Sequence, residues 1–272
     1  MRAQCVLTVL GCLLFAFGPA RAAERAAPLA IGETFTLQST ALNETRRINV
    51  YLPPGYAEAK DNRFPVLYMP DGGLAEDFLH VAGLVQVSVG NGTMRPFVLV
   101  GIENTERRRD LTGPTQNEED KKIAPRVGGS AAFRKFLRDE LMPQIKARYR
   151  TTDEKAIVGE SLAGLFVIET FFLEPDLFDI YIAIDPSLWW NDGALVKAAP
   201  ERLRAQPNTK KWLWVSSSGE ERGDGTERLA AALQEAKTPS GLLWRFEPMP
   251  QEKHSTIYHP AALMAFRAVL SP

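Results

Sequence analysis

The 272-residue sequence contains little cysteine and little histidine, and each shortage bears on the kinds of site that can form. The two cysteines, Cys5 and Cys12, lie close to the N-terminus, and the three histidines are His80, His254 and His259. Beyond Cys12 the chain can therefore have no disulfide and no cysteine nucleophile. So few imidazoles also disfavour a zinc site of the usual type. We expect chemistry without a metal ion.

The N-terminal residues have the composition of an export signal. Arg2 is followed by an apolar run over residues 5–17 and then by Ala20-Arg21-Ala22, the small-residue pattern at which signal peptidase cleaves. The run is shorter than the roughly 20 residues that a membrane-spanning helix needs. We predict a signal peptide over residues 1–22 and one mature domain over residues 23–272. This domain would have no membrane span and would be periplasmic or secreted.

Neither sign of charge is in large excess. Without the predicted signal peptide, the 32 basic residues fall to 30, against 33 acidic residues. The basic clusters at 107–109 and 121–122 are interleaved with acidic residues, as in a solvated loop. This balance argues against nucleic acid as a partner and leaves a small molecule as the expected ligand. The oligomeric state stays open.

Short β-rich segments alternate with helical ones, which predicts an α/β fold with a central, mostly parallel sheet and helices on both faces. Several strands are almost continuously apolar, as central strands are. A helix is predicted over residues 130–149, bent or restarted at Pro143, and residues 103–129 are predicted as a long loop. Further helices are predicted over 226–236 and 260–270. The predicted strands are 46–52, 64–69, 97–102, 155–158, 180–184, 212–216 and 242–246.

The hexapeptide Gly159-Glu160-Ser161-Leu162-Ala163-Gly164 lies between a predicted strand and an apolar helical segment. Strand, tight turn with serine and then helix is the context of a nucleophile elbow. The residues two before and two after the serine must be small, and here they are Gly159 and Ala163, where alanine replaces the usual glycine. We predict Ser161 as a nucleophile and the Leu162 amide as one oxyanion donor.

A serine hydroxyl needs a base, and histidine has a suitable pKa. In this architecture the base follows the last strand. His254 lies between the predicted strand 242–246 and the final helix, so we predict that His254 is the base. His259, beside Pro260, is interpreted instead as a helix-entry residue, and His80 as a surface or packing residue.

A carboxylate should orient the imidazole, and it should lie between nucleophile and base in the sequence. The predicted strand 212–216 is followed by Glu220, Glu221 and Asp224. We predict Glu220 because it is nearest to the strand end, with Glu221 and Asp224 as alternatives.

A second oxyanion donor is expected from the loop after an early strand. Gly72 and Gly73 follow the predicted strand 64–69, and glycine lets a backbone amide approach a ligand closely. We predict that one of these amides is the donor, with a plain turn as the alternative.

Several segments are informative together: 47–56 (RINVYLPPGY), 66–73 (VLYMPDGG), 100–102 (VGI), 109–112 (RDLT), the elbow, 185–190 (DPSLWW) and 252–255 (EKHS). On these segments the chain resembles the putative esterase family that includes esterase D and the ferric enterobactin esterases. The resemblance implies an α/β-hydrolase fold, ester hydrolysis and no cofactor. It also makes Trp189, Trp190 and Arg109 candidate substrate-binding residues, although adjacent tryptophans more often pack in a core.

The residues and the resemblance together predict an exported serine esterase that forms an acyl-enzyme with a small-molecule ester. Two alternatives stay open. An acyltransferase would use the same residues with an alcohol in place of water, and a non-catalytic binding module would keep the fold without the chemistry.

Overall fold

A computed structural model describes residues 26–236 and 241–272. Ile31–Pro272 forms one compact unit. The predicted signal peptide, residues 1–22, lies outside the described residues and stays a prediction. Within the described ranges, no helix is both long enough and apolar enough to cross a membrane.

The described residues form one eight-stranded sheet with the strand order β1-β2-β4-β3-β5-β6-β7-β8. Strands β4, β3, β5, β6, β7 and β8 are mutually parallel, and β2 pairs antiparallel with both β1 and β4. The carboxyl ends of the parallel strands therefore meet at one edge of the sheet. The strands are β1 (Glu33–Ser39), β2 (Glu44–Tyr51), β3 (Phe64–Pro70), β4 (Val98–Ile102), β5 (Thr151–Glu160), β6 (Ile180–Ile184), β7 (Lys211–Ser218) and β8 (Leu242–Met249).

Helices cover both faces of this sheet. The helices are α1 (Phe78–Gly90), α2 (Arg107–Asp110), α3 (Glu118–Lys122), α4 (Ser130–Phe136), α5 (Met142–Arg148), α6 (Leu162–Leu173), α7 (Trp190–Lys197), α8 (Ala199–Arg204), α9 (Gly225–Glu235) and α10 (Tyr258–Val269). One core layer contains residues of α1 and α10, and the other contains residues of α4, α5, α6, α8 and α9.

Alternate residues of a central strand face opposite core layers. In β6, Tyr181 and Ala183 belong to the layer with α6, whereas Ile180, Ile182 and Ile184 belong to the layer with α10. A strand buried on both faces needs apolar side chains at every position, which explains its continuous apolar run. The structure confirms the predicted α/β class.

The helix predicted over residues 130–149 forms as three consecutive segments. A π-helical turn, Leu137–Leu141, separates α4 from α5. Pro143 lies in the first turn of α5. Because proline has no N–H to donate to residue 139 and its ring crowds that carbonyl, the regular helix ends before it. Pro143 thus restarts the helix, which is one of the two predicted outcomes.

The predicted loop 103–129 contains two short helices, α2 and α3, and is held to the rest of the unit by side chains. Arg46, fully buried on β2, donates hydrogen bonds to the carbonyl of Glu103 at 2.9 Å and to Asp110 Oδ2 at 2.5 Å. The edge strand β1 was not predicted. Its residues are mostly exposed, so its sequence lacks the apolar pattern of the central strands.

Candidate active site

Ser161 lies in a tight turn between β5 and α6. Its backbone has φ 60° and ψ −120°, a conformation that costs a non-glycine residue roughly 1–3 kcal/mol. A Cβ atom on Gly159 would lie 2.6–2.7 Å from Ala163, so only glycine fits two residues before the serine. Alanine is accommodated at position 163, where it is fully buried. The local sequence therefore forms the predicted elbow.

Leu162 is the first residue of α6, immediately after Ser161. The N–H groups of a first helical turn have no acceptor within the helix, and this end of the helix carries partial positive charge. The Leu162 amide beside Ser161 is therefore suited to stabilise a developing oxyanion, and its role stays a prediction.

His254, between β8 and α10, connects the serine to a carboxylate. Its Nε2 atom lies 3.1 Å from Ser161 Oγ, across 93 residues of sequence. Its Nδ1 atom lies 2.5 Å from Asp185 Oδ2. The structure thus brings together Ser161 and His254, as the sequence predicted, and adds Asp185 as the third member of one hydrogen-bonded chain.

Asp185 follows β6 at the carboxyl edge of the sheet and is 3% exposed. Its Oδ1 accepts the Ser218 N–H and its Oδ2 accepts the Ser218 hydroxyl, both at 2.8 Å. Burial alone would raise the pKa of Asp185, but the hydrogen bonds from His254 and Ser218 outweigh it and lower that pKa. Asp185 is therefore held as an anion against the imidazole.

The prediction that Glu220 contacts His254 is wrong. Glu220 has a side chain that is 54% exposed, with its carboxylate 3.9 Å from Lys253 Nζ. The alternatives also lie elsewhere: Glu221 accepts hydrogen bonds from the N–H and hydroxyl of Thr226 at the start of α9, and Asp224 is 3.7 Å from Arg228. The acid that meets the histidine comes from the end of β6 and not from the end of β7.

A sequence signal for Asp185 was available. It is a lone acidic residue directly after the fully apolar strand β6, and it begins the segment 185–190 that carries part of the family resemblance. The carboxyl ends of neighbouring parallel strands meet at one edge of the sheet. A residue after β6 could therefore supply the carboxylate for His254 as well as a residue after β7.

The two predicted glycine donors are engaged in other bonds. The Gly72 N–H donates to the carbonyl of Ile102 at 2.9 Å, and a Cβ there would lie 2.3 Å from the backbone of Gly101. The Gly73 N–H donates to Glu76 Oε2 at 2.6 Å. The prediction of a Gly72 donor is therefore wrong, because its amide is needed to pack β3 against β4. Gly73 can serve only if Glu76 releases it.

Ser187 supports the elbow from the segment after β6. Its N–H donates to the Ser161 carbonyl at 3.0 Å, and its Oγ lies 3.4 Å from Ser161 Oγ. The side chain is buried. Ser187 belongs to the segment 185–190 that carries part of the family resemblance, but its residue type alone predicts no role.

The two tryptophans differ in environment. Trp190 is 4% exposed, and its indole N–H donates to the carbonyl of Gly113 at 2.9 Å. It therefore anchors the loop 103–129, which does not support the implied role in substrate binding. Trp189 is half-buried, with the Arg222 guanidinium 4.4 Å from its ring centroid, and stays a proposed substrate contact.

Arg109 is committed to a buried ion network. Its side chain is 12% exposed and pairs with Glu44 at 2.8 Å and with Asp110 at 2.6 Å. A guanidinium occupied in this way is not available to a ligand, so its predicted substrate contact is not supported.

The other histidines lie together on α1 and α10. His80 Nε2 is 3.3 Å from Asp77 Oδ1, and the His80 ring packs against Tyr258 and His259. They have packing roles, as predicted for His80. Across the part of the chain that the structure describes, no three histidine, cysteine or acidic side chains are grouped so that they could hold a metal ion.

The hydrogen bond to Asp185 raises the pKa of His254, and the charge of Glu160 adds to this, while burial and Arg107 act in the opposite direction. The His254 side chain is 47% exposed. A base that is open to solvent on one side and fixed to a buried carboxylate on the other can exchange protons with a bound ligand.

A mostly parallel sheet with helices on both faces, a serine in a strand-to-helix elbow and a histidine after the last strand define the α/β-hydrolase fold. Within this class, the chain belongs to the family described as Putative esterase, which it matches over residues 39–261.

Two of the similar proteins are siderophore esterases. The chain is 30% identical to the ferri-bacillibactin esterase BesA of Bacillus subtilis, over 57% of this chain and 58% of that protein. It is 29% identical to the siderophore triacetylfusarinine C esterase of Aspergillus fumigatus, over 68% of this chain and 64% of that protein. The matches thus span less than two thirds of either relative.

The fold is also that of a solved structure. The crystal structure of an IroE-like serine hydrolase from Shewanella oneidensis superposes with a TM-score of 0.77 at 27% identity. This match covers 88% of this chain and 80% of that chain.

Proposed function

We propose that this chain is an exported serine esterase that hydrolyses carboxylic esters through Ser161, His254 and Asp185. The observation that carries the proposal is the hydrogen-bonded chain, with Nε2 at 3.1 Å from the serine and Nδ1 at 2.5 Å from a buried carboxylate. Membership of an esterase family supports the same reaction.

In the proposed mechanism, His254 Nε2 takes the Ser161 hydroxyl proton while Oγ bonds to the ester carbonyl carbon. The carbonyl electron pair moves onto oxygen, where the Leu162 N–H stabilises it by roughly 3 kcal/mol. The imidazolium returns its proton to the leaving alcohol, which gives an acyl-enzyme. His254 then takes a proton from water, whose oxygen bonds to the acyl carbon; the Ser161 Oγ–acyl bond breaks, the imidazolium returns the proton to Oγ, and the acid is released. Asp185 remains ionised and holds the tautomer throughout.

Ester-linked siderophores are the first substrates to test, because the two named relatives above are siderophore esterases. Trp189 and Arg222 together present an aromatic face and a positive charge, which suits an aromatic or anionic group of a substrate.

The test compares the purified protein with S161A on short-chain p-nitrophenyl esters and on ferric and iron-free triester siderophores. We expect S161A to lose activity by several orders of magnitude, as loss of a nucleophile does. S88A is the matched control, since Ser88 is a buried serine on α1 outside the hydrogen-bonded chain. Full activity in S161A would refute the assignment.

A fluorophosphonate probe separates the alternative functions. The esterase proposal expects stoichiometric labelling of Ser161, detected by intact mass, and none in S161A. Labelling without hydrolysis, but with transfer to added alcohols, would favour an acyltransferase. A folded protein that is neither labelled nor active would favour a binding module.

A further inference from the structure

Glu160 is a second carboxylate beside the histidine, one residue before the serine. Its Oε1 lies 3.4 Å from His254 Nε2, the same atom that lies 3.1 Å from Ser161 Oγ. The Glu160 side chain is 15% exposed. A buried carboxylate normally pairs with a fixed cation or several donors, because its desolvation is costly. Glu160 instead faces the imidazole nitrogen that the proposed mechanism protonates.

The surrounding charges leave Glu160 without a cation of its own. Arg107, on α2, is within electrostatic range but is bound in two hydrogen bonds of 2.8 Å to Asp71. The other charged groups that face Glu160 are Asp77 before α1 and Asp185 after β6, both acidic. Within the described ranges, the ion pair with His254 is the direct polar contact of the Glu160 carboxylate.

The α10 helix adds one more polar group to this region. Tyr258, whose ring contacts His80, is affected electrostatically by Glu160, Asp71, Asp77 and Arg107. Its hydroxyl is buried and has no hydrogen-bond partner among the described residues. Burial raises the pKa of Tyr258, so this phenol stays neutral and supplies no charge that could compensate Glu160.

Burial raises the pKa of Glu160 to about 7, although His254 and Arg107 act in the opposite direction. The hydrogen bond to Asp185 and the charge of Glu160 both raise the pKa of His254. Each charge therefore favours the charged form of the other group, and the two groups titrate as a coupled pair.

We propose that Glu160 is a positioning residue whose ionised carboxylate, facing His254 Nε2, stabilises the imidazolium that forms when His254 takes the proton of Ser161. This inference rests on the proposed function. In the step concerned, the Ser161 O–H bond breaks and the Nε2–H bond forms, so a positive charge appears between Asp185 and Glu160. Glu160 gains and loses no proton in this step.

The charge of Glu160 has two opposing effects on rate. By favouring imidazolium in the free enzyme, it moves the acid limb of the pH profile to higher pH. By stabilising imidazolium during attack, it raises the rate on the plateau, where His254 is neutral. The acid limb of an E160Q variant should therefore lie at lower pH, by about one unit. This is the low end of the pKa shift that a charge within ~4–6 Å produces. Its plateau kcat/KM should fall by roughly threefold, so the two profiles cross.

The experiment measures kcat/KM for a p-nitrophenyl ester from about pH 5 to about pH 9, together with an NMR titration of the His254 ring protons. It compares the purified wild-type protein with E160Q and with E160D, which retains the charge. E119Q is the control, because the Glu119 side chain is 79% exposed and pairs with Lys122 on the protein surface. We expect E160Q to lower the pKa of His254, so that its kcat/KM profile crosses that of the wild-type protein. E160D and E119Q should retain the acid limb of the wild-type profile.

A uniform loss of rate in E160Q with an unchanged acid limb, or an unchanged His254 titration, would overturn the inference and leave Glu160 with a structural role. The NMR titration needs no turnover. A shifted His254 titration in a protein that hydrolyses no ester would support the Glu160 coupling while the proposed esterase function fails. If E160Q does not fold, the same two measurements are made on E160A, which also removes the carboxylate charge and should shift the limb in the same direction.

Discussion

Asp185 and Asp110 are both almost completely buried carboxylates, with exposures of 3% and 0%, but their partners differ. Asp185 contacts His254 and Ser218, whereas Asp110 contacts the guanidinium groups of Arg46 and Arg109 at 2.5 and 2.6 Å. An imidazole changes charge near neutral pH, and a guanidinium does not. Equal burial therefore accompanies a partner that can change its charge in one place, and attachment of the loop 103–129 in the other.

The largest expected effect comes from D185N. An amide in place of the carboxylate stabilises neither the required tautomer nor the imidazolium, so kcat/KM for an ester should fall by roughly ten-thousandfold. Thermal unfolding should change far less. Measurement of both quantities tests the assignment, and a variant with more than a tenth of wild-type activity would contradict it.

The matched change in the other region is D110N. It leaves two buried guanidinium groups short of a counter-charge, which typically costs about 3–5 kcal/mol. We expect a large loss of unfolding free energy in chemical denaturation, with kcat/KM of the folded protein within a few-fold of wild type. A stable but inactive D110N would remove the distinction between the two regions.

A smaller effect is expected at Glu44, which pairs with Arg46 and Arg109 in the same network. Burial alone would raise the pKa of Glu44, but hydrogen bonds from Arg109, Thr105 and Arg46 outweigh it and lower the pKa from 4.5 to about 2. Its stabilisation is thus present above pH 4.5 and is lost as the pH falls through about 2.

E44Q should consequently be less stable than wild type at neutral pH, by on the order of 2 kcal/mol. This difference should shrink as the pH falls toward 2, the folded-state pKa of Glu44. Urea denaturation at a series of pH values measures it, and a difference that stays constant with pH would exclude the linkage.

The smallest effect is expected for E220Q. Glu220 is exposed and its carboxylate is 3.9 Å from Lys253, so both activity and stability should stay close to wild type. Assays of E220Q beside D185N test whether the acid that orients His254 comes from the end of β7 or from the end of β6. Loss of activity in E220Q comparable with that in D185N would restore the acid predicted from the sequence.

Much of the sheet was predictable because its central strands are buried on both faces and so carry continuous apolar runs. The edge strand β1 was not, since its exposed residues follow no such pattern. Ser161 and His254 were predictable because the elbow needs small residues at fixed positions and the base follows the last strand. Chain order alone could not choose between Asp185 and Glu220, because both lie between Ser161 and His254 in the sequence. They differ in burial, since Asp185 is 3% exposed and the Glu220 side chain is 54% exposed.

Residue type alone could not show whether the amides of Gly72 and Gly73 and the guanidinium of Arg109 are available to a ligand. A glycine signals a close approach of backbone, and in Gly72 that approach is to Gly101. A basic cluster among acidic residues resembles a solvated loop, yet the Arg109 side chain is only 12% exposed and pairs with Glu44 of β2 as well as with its neighbour Asp110. The pairing with Glu44 joins residues 65 positions apart in the sequence.

The attachment of the loop 103–129 has an evolutionary consequence. Its middle is fixed to the segment after β6 by bonds from Trp190 to Gly113, from the Asn191 N–H to Asp120 and from Asn117 to Asp192, none of which involves Ser161 or His254. Residues between these anchors can be exchanged without displacing the reacting atoms. The sequence of this surface segment and the geometry of Ser161, His254 and Asp185 can therefore vary independently in evolution.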